Sequence, residues 1–251
     1  MPRTHTLVRA VPKLAALTAV TLAAQVVYTV QRDLPAFGGV DASAVLGPAA
    51  APPLRISAFG DSTLTGPGLD RPEQIWIRQA IDRLADRYHI TLDSQAVGGS
   101  RTQEVLNDQL PNVADTDIAV VVVGSNDALH GIPTSIVRQN LVSIVDYLLP
   151  RSKAIIMSGV GDLGSIPRMP APLHSIARLR GNRIDAVIKE IATISDRIER
   201  VAMWELTASR FQQEREGVFA GDLFHPNEHG HRIWADAFYP SLIRALAIVD
   251  R

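Results

Sequence analysis

The 251-residue sequence contains no cysteine, which excludes a disulfide framework, a thiolate nucleophile and every metal site built on thiolates. It also lacks a charge excess. With 25 Lys and Arg against 26 Asp and Glu, it has neither the basic field of a nucleic-acid binder nor a strongly acidic solvating surface, so no nucleic-acid partner is expected. No internal repeat divides it. The 46% hydrophobic content suffices for the core of one domain once the N-terminal segment is set aside.

That segment has its own character. Arg3, His5, Arg9 and Lys13 precede an apolar run from Leu14 to Val30, broken only by Thr18, Thr21, Gln25, Tyr28 and Thr29. A basic flank followed by such a run predicts that residues 1–30 are a signal peptide or an N-terminal membrane anchor at the short limit for a bilayer span, oriented N-in and C-out. The expected location is the cell envelope, or outside the cell after cleavage. Residues 31–53 carry Pro35, Gly38, Gly39, Gly47, Pro48, Pro52 and Pro53 with no sustained period, which predicts a flexible linker. The globular domain is then expected over residues 54–251.

Within it, apolar runs at Leu54–Phe59, Ile90–Val97, Ile118–Val123, Lys153–Ser158 and Val201–Leu206 alternate with helical patterns. The unbroken run Ile118–Val123 suits a parallel strand covered on both faces. Ile77, Ala80, Ile81, Leu84, Ala85 and Tyr88, after Pro72, recur at helical spacing, as do Val137, Leu141, Ile144, Val145 and Leu148. A further helix is expected over His174–Ile194. The last begins near Glu228 and should be kinked or split at Pro240. Alternating strands and helices predict an α/β fold with an open parallel sheet of about five strands, helices on both faces, and a ligand site at the carboxyl ends of the strands.

Candidate chemistry follows strands. Gly60-Asp61-Ser62-Thr63-Leu64-Thr65-Gly66 places a serine at a sharp turn after the first strand. A serine hydroxyl needs a base within hydrogen-bond reach and a third group to orient that base. Asp222-Leu223-Phe224-His225 supplies both on one short segment, and Pro226-Asn227 makes a stiff boundary with an N-cap before the last helix. Val97-Gly98-Gly99-Ser100 and Gly124-Ser125-Asn126-Asp127 follow two other strands and offer donors for a developing oxyanion. Singly, each block has an ordinary reading as a cap, a turn pair or a surface ion pair. Four in order, each after its expected element, form a specific signal.

Together they identify the chain, over roughly Leu54 to Ala247, as similar to the SGNH, or GDSL-type, hydrolase superfamily of lipases and esterases. The resemblance implies a flavodoxin-like three-layer α/β/α sandwich and carboxylic ester hydrolysis through an acyl-enzyme, without a metal or organic cofactor. It also implies Ser62, His225 and Asp222 as a triad, with an oxyanion hole from the N–H groups of Ser62 and Gly99 and the side chain of Asn126. The family's glycine block is variable, so Gly98 remains an alternative to Gly99. The Gly-x-Ser-x-Gly elbow of α/β-hydrolases is absent. Lipid or glycan esters of the envelope are the expected substrates, and the N-terminal segment is the expected contact with the membrane.

Three other readings deserve weight. Gly159-Val160-Gly161-Asp162-Leu163-Gly164 matches a dinucleotide fingerprint, but it does not follow the first strand, and the prolines after it prevent a helix. It reads better as a flexible loop from Gly159 to Leu173, whose Leu163, Ile166, Met169 and Leu173 are candidates for the acyl pocket wall. His225, His229 and His231, with Asp222 and Glu228, could form a metal-dependent hydrolytic site, although positions two apart on a helix face apart. A non-catalytic envelope protein that binds lipid or glycan is the third alternative.

Overall fold

The run Ile118–Val123 lies where its composition demands, in the middle of a sheet covered on both faces. In the computed structural model, which describes residues 4–111 and 113–251 with side chains from Thr18 onward, the sheet has six strands. They are β1 (Ala44–Leu46), β2 (Pro53–Gly60), β3 (His89–Ser94), β4 (Thr116–Val122), β5 (Ser152–Ser158) and β6 (Ile198–Val201). The helices are α1 (Thr4–Gln31), α2 (Ser62–Thr65), α3 (Trp76–Asp82), α4 (Thr102–Glu104), α5 (Ser125–His130), α6 (Thr134–Leu148), α7 (Leu173–Ile191), α8 (Met203–Gln213) and α9 (Glu228–Val249).

The strand order is β1-β3-β2-β4-β5-β6; β1 is antiparallel to β3 and all other neighbours are parallel. Successive residues of β4 serve opposite layers. Ala119 and Val121 join Phe59, Ile155 and Met157 in a core with Leu141 and Ile144 of α6 and Ile184 and Ile188 of α7. Ile118, Val120 and Val122 join Leu54, Ile56 and Ala58 against Ile77 and Ile81 of α3 and Phe238, Leu242 and Leu246 of α9. This is the expected three-layer sandwich. With the edge strand β1 set aside, its order is flavodoxin-like, and the winding reverses between β2 and β4, whose carboxyl ends frame the ligand crevice.

Several expectations need correction. The stretch 31–53 is not simply a linker: β1 pairs with β3 through Ala44–Leu46, Ala42 is buried, and the sheet gains a sixth strand. The run Val201–Leu206 is divided, with β6 ending at Val201 and α8 starting at Met203. Met203, Thr207, Ala208 and Phe211 are buried on one helical face while Leu206 is exposed. Helix α9 is not split at Pro240, because Phe238, Leu242, Ala245 and Leu246 hold both sides of the proline in the core.

The membrane anchor is not supported. Among the described residues no helix is long and apolar enough to cross a bilayer, and the run contains the polar residues named above. Gln25 Nε2 donates to the Ala171 carbonyl at 2.7 Å, and Arg168 Nε donates to that of Thr29 at 3.0 Å. Of the basic flank, Arg3 and the side chains of His5, Arg9 and Lys13 lie outside the described residues.

Candidate active site

Strand β2 ends in a close approach that only glycine allows: a Cβ on Gly60 would lie 2.1 Å from the Val122 carbonyl oxygen. The chain turns there, and Ser62 opens α2 with Asp61 as its N-cap, the Asp61 carboxylate accepting from Thr63 N at 2.9 Å. Gln109, in a π-helical turn that continues α4, clamps the turn from below. Its Oε1 accepts from Gly60 N at 2.8 Å, and its Nε2 donates to the Gly60 carbonyl at 2.9 Å and to Ser100 Oγ at 3.1 Å.

The second half of the site is a tight hairpin. Phe219 bridges Pro226, Ala220 N donates to the His225 carbonyl at 2.7 Å, and Asn227 N donates to that of Val218 at 3.0 Å. At its tip Leu223 adopts a positive φ of 58°, a left-handed conformation that costs a non-glycine residue about 1–2 kcal/mol. The turn brings Asp222 Oδ1 within reach of the N–H groups of Phe224 (2.9 Å) and His225 (3.0 Å). Oδ2 lies 2.6 Å from His225 Nδ1, and His225 Nε2 lies 3.1 Å from Ser62 Oγ. Burial pushes the Asp222 carboxyl up, but the hydrogen bonds from His225 and the two backbone N–H groups outweigh it and hold the carboxyl below its ordinary value.

Asn126, at the start of α5, comes from the end of β4 across the crevice. Its Nδ2 donates to the Ser100 carbonyl at 3.1 Å and to Asp61 Oδ2 at 3.3 Å. Gly98 and Gly99 flank this point on an exposed loop, Gly99 at a positive φ of 84°. Next to Asn126, the buried Asp127 accepts from Thr102 N (3.0 Å) and Thr102 Oγ1 (2.7 Å), tying α5 to α4. Asp61 is 1% exposed; burial raises its carboxyl to about 6, against the hydrogen bonds of Thr63 and the field of His225.

Two cavities meet at Ser62, Asn126, Phe224 and His225. One is a chamber of about 80 Å³ that extends over the ends of β4 and β5, walled by Val123, Val160, Leu163, Ile166, Phe211 and Trp234. The other is an open groove of about 720 Å³ between the Gly98-Gly99 loop and residues 37–41.

Of the four residues anticipated as pocket wall, Leu163 and Ile166 line the chamber. Met169 and Leu173 do not; they pack into the core between the sheet and α6–α7. The Gly159–Gly164 segment forms a loop with one 3₁₀ turn, and the next helix begins only at Leu173. The three histidines go to different partners. His229 Nε2 lies 2.5 Å from Glu214 Oε2. His231 accepts from Trp76 N at 3.2 Å and is kept neutral by burial, which lowers it to about 3. Among the described residues no three His, Asp or Glu side chains gather as metal ligands. Sequence reasoning missed Gln109, the chamber aromatics Phe211, Phe219 and Trp234, and residues 37–41, none of which carries a local signal.

The GDSL-like lipase/acylhydrolase family matches residues 58–233 of the chain. The GDSL-like esterase Rv1075c of Mycobacterium tuberculosis is 30% identical over 204 residues, 77% of this chain; the chain spans 63% of that relative's length. Among solved structures, the psychrotrophic esterase EstA from Pseudoalteromonas sp. superposes with a TM-score of 0.60 at 18% identity, over 77% of this chain and 98% of its own. A member of the lipolytic G-D-S-L family from Veillonella parvula gives 0.56 at 22% identity, over 76% and 98%. These two likenesses concern the fold, and the match over 58–233 spans the segments that hold Ser62, Asn126, Asp222 and His225. The chain belongs to the GDSL-like lipase/acylhydrolase family.

Proposed function

We propose that this protein hydrolyses carboxylic esters through an acyl-enzyme on Ser62, with His225 as general base and then general acid, and Asp222 orienting the imidazole. The observation that carries this reading is the unbroken line Asp222 Oδ2, His225, Ser62 Oγ, with separations of 2.6 and 3.1 Å. As Ser62 Oγ bonds to the carbonyl carbon, its proton passes to His225 Nε2 and the carbonyl electron pair moves onto oxygen. The other proton stays on His225 Nδ1, hydrogen-bonded to the Asp222 carboxylate, which stabilises the imidazolium.

The oxyanion is received by the N–H groups of Ser62 and Gly99 and by Asn126 Nδ2, each donor typically worth about 2.7–4 kcal/mol. When the tetrahedral centre collapses, the carbon–alcohol bond breaks and the alcohol oxygen takes the proton from His225. Water, deprotonated by His225, then releases the acid and restores Ser62. The basic and apolar N-terminal segment supports action on esters outside the cytoplasm as part of the same proposal.

The test is hydrolysis of p-nitrophenyl butyrate by the full chain and by Ser62→Ala. A loss of at least about 10³-fold in kcat with unchanged thermal unfolding is expected. Turnover by Ser62→Ala near that of the unmutated protein would refute the assignment.

A further inference from the structure

The two cavities are unequal in a way that bears on the substrate. In the tetrahedral intermediate the acyl chain and the alcohol leave the carbon in different directions, and the alcohol oxygen must remain beside His225 Nε2. Ser62, Asn126 and His225 border both cavities, so each cavity is placed to take one half of an ester. The chamber, at about 80 Å³ and walled by Val160, Leu163, Phe211 and Trp234, has about half the ~150 Å³ of an apolar cavity that holds one benzene ring. It fits an acyl group of a few carbons. The groove, at about 720 Å³ and open to solvent, accepts a bulky alcohol.

One wall of the groove is a strap formed by residues 37–41, well before the nucleophile in sequence. The strap is docked on both halves of the site. Val40 N donates to the Thr65 carbonyl at 2.7 Å, at the end of α2. The Phe37 ring packs over Gly68 and over Gly221, the neighbour of Asp222, where an added Cβ would meet it at 3.3 and 3.7 Å. Asp41 Oδ1 accepts from Ser43 N at 2.9 Å, which steadies its carboxylate at the groove edge.

Among the described residues the groove is bordered by no lysine or arginine; it presents Phe37, Asp41, Thr65, Ser94 and the backbone of Gly98-Gly99. A phosphate-bearing alcohol would meet a carboxylate there without a countercharge. A sugar or similar polyol would find an aromatic face for its C–H surface and acceptors for its hydroxyls.

We propose that the Phe37–Asp41 strap is the specificity wall for the alcohol half of the ester, and that the enzyme acts on short acyl groups carried by an uncharged polyhydroxylated alcohol. This rests on the serine-hydrolase reading above. The test measures kcat and KM of the full chain, Phe37→Ala and Asp41→Ala on three acetate esters: an acetylated methyl glucoside, acetyl glycerol 3-phosphate and ethyl acetate. The unmutated enzyme should prefer the sugar ester to the phosphate ester. Each variant should lower the kcat/KM ratio of sugar ester to ethyl acetate about tenfold, chiefly through KM, the size of one lost recognition contact.

A ratio that the variants leave unchanged, whether or not both rates fall, overturns the strap's role, as does better turnover of the phosphate ester. Failure of the underlying reading looks different, since Ser62→Ala would then match the unmutated chain on all three esters.

Discussion

Replacing Asp61 by Asn isolates one charge at the centre of the site. The Asp61 carboxylate is 1% exposed and takes two hydrogen bonds, from Thr63 N at 2.9 Å and Asn126 Nδ2 at 3.3 Å, both uncharged donors. Burial, the largest influence, raises the carboxyl from 3.8 to about 6. The folded protein therefore holds this proton more tightly than the unfolded chain does. Its stabilising contribution is fully present below the ordinary value and is lost as pH rises through about 6. A displacement of that size corresponds to about 3 kcal/mol.

Asparagine keeps an acceptor for Thr63 N but has no charge at any pH, and its amide facing that of Asn126 adds an offset that does not vary with pH. The stability of Asp61→Asn relative to the unmutated protein should thus rise by about 2.5 kcal/mol between about pH 4 and pH 8, most of that displacement. Urea unfolding of both proteins across that range, at constant ionic strength, measures the difference directly. Parallel curves, within about 0.5 kcal/mol, would refute the reasoning and mean that the two hydrogen bonds fully offset the burial of the charge. The variant should also lose kcat, because Asn126 loses an acceptor that positions its amide.

Three further outcomes are expected. Gln109→Leu leaves the buried Gly60 N–H without its acceptor and removes one of the two donors on the Gly60 carbonyl, Val97 N remaining at 3.1 Å, and should cost about 1–3 kcal/mol in urea unfolding, the size of one unpaired buried group; a change under about 0.5 kcal/mol would contradict the clamp. Phe211→Ala, at a side chain 5% exposed in the chamber wall, should cost about 3–5 kcal/mol and move the p-nitrophenyl ester optimum to longer acyl chains; an unmoved optimum would place the acyl group elsewhere. Asp222→Asn should lower kcat by about 10⁴. Because the Asp222 carboxyl is held below its ordinary value, its contribution is present above that value and lost as pH falls through the folded one. The variant's unfolding should therefore be less sensitive to acid than the unmutated protein's, and equal acid sensitivity would count against the depressed carboxyl.

The sequence by itself determined what local periodicity and short spacing can encode. An unbroken apolar run such as Ile118–Val123 specifies a strand buried on both faces, and the regular return of strands after helices specifies a parallel sheet. Asp222 and His225 sit three residues apart on one turn, so their pairing was legible without knowledge of the rest of the chain. Ser62, Asn126 and the Gly98-Gly99 pair were legible as strand-end residues because a parallel sheet delivers all such ends to one edge.

The tertiary structure alone decided what surrounds them. The chamber joins Val160, Phe211 and Trp234 from the end of β5, α8 and α9, and Gln109 meets Gly60 across 49 residues. The strap follows an apolar run that predicted an anchor and lies in a stretch whose prolines and glycines predicted a linker. Its place was set by the Val40–Thr65 bond, by the glycines under Phe37 and by the pairing of β1 with β3. Such contacts depend on which surfaces long-range packing brings together, and a local pattern carries no record of its distant partner.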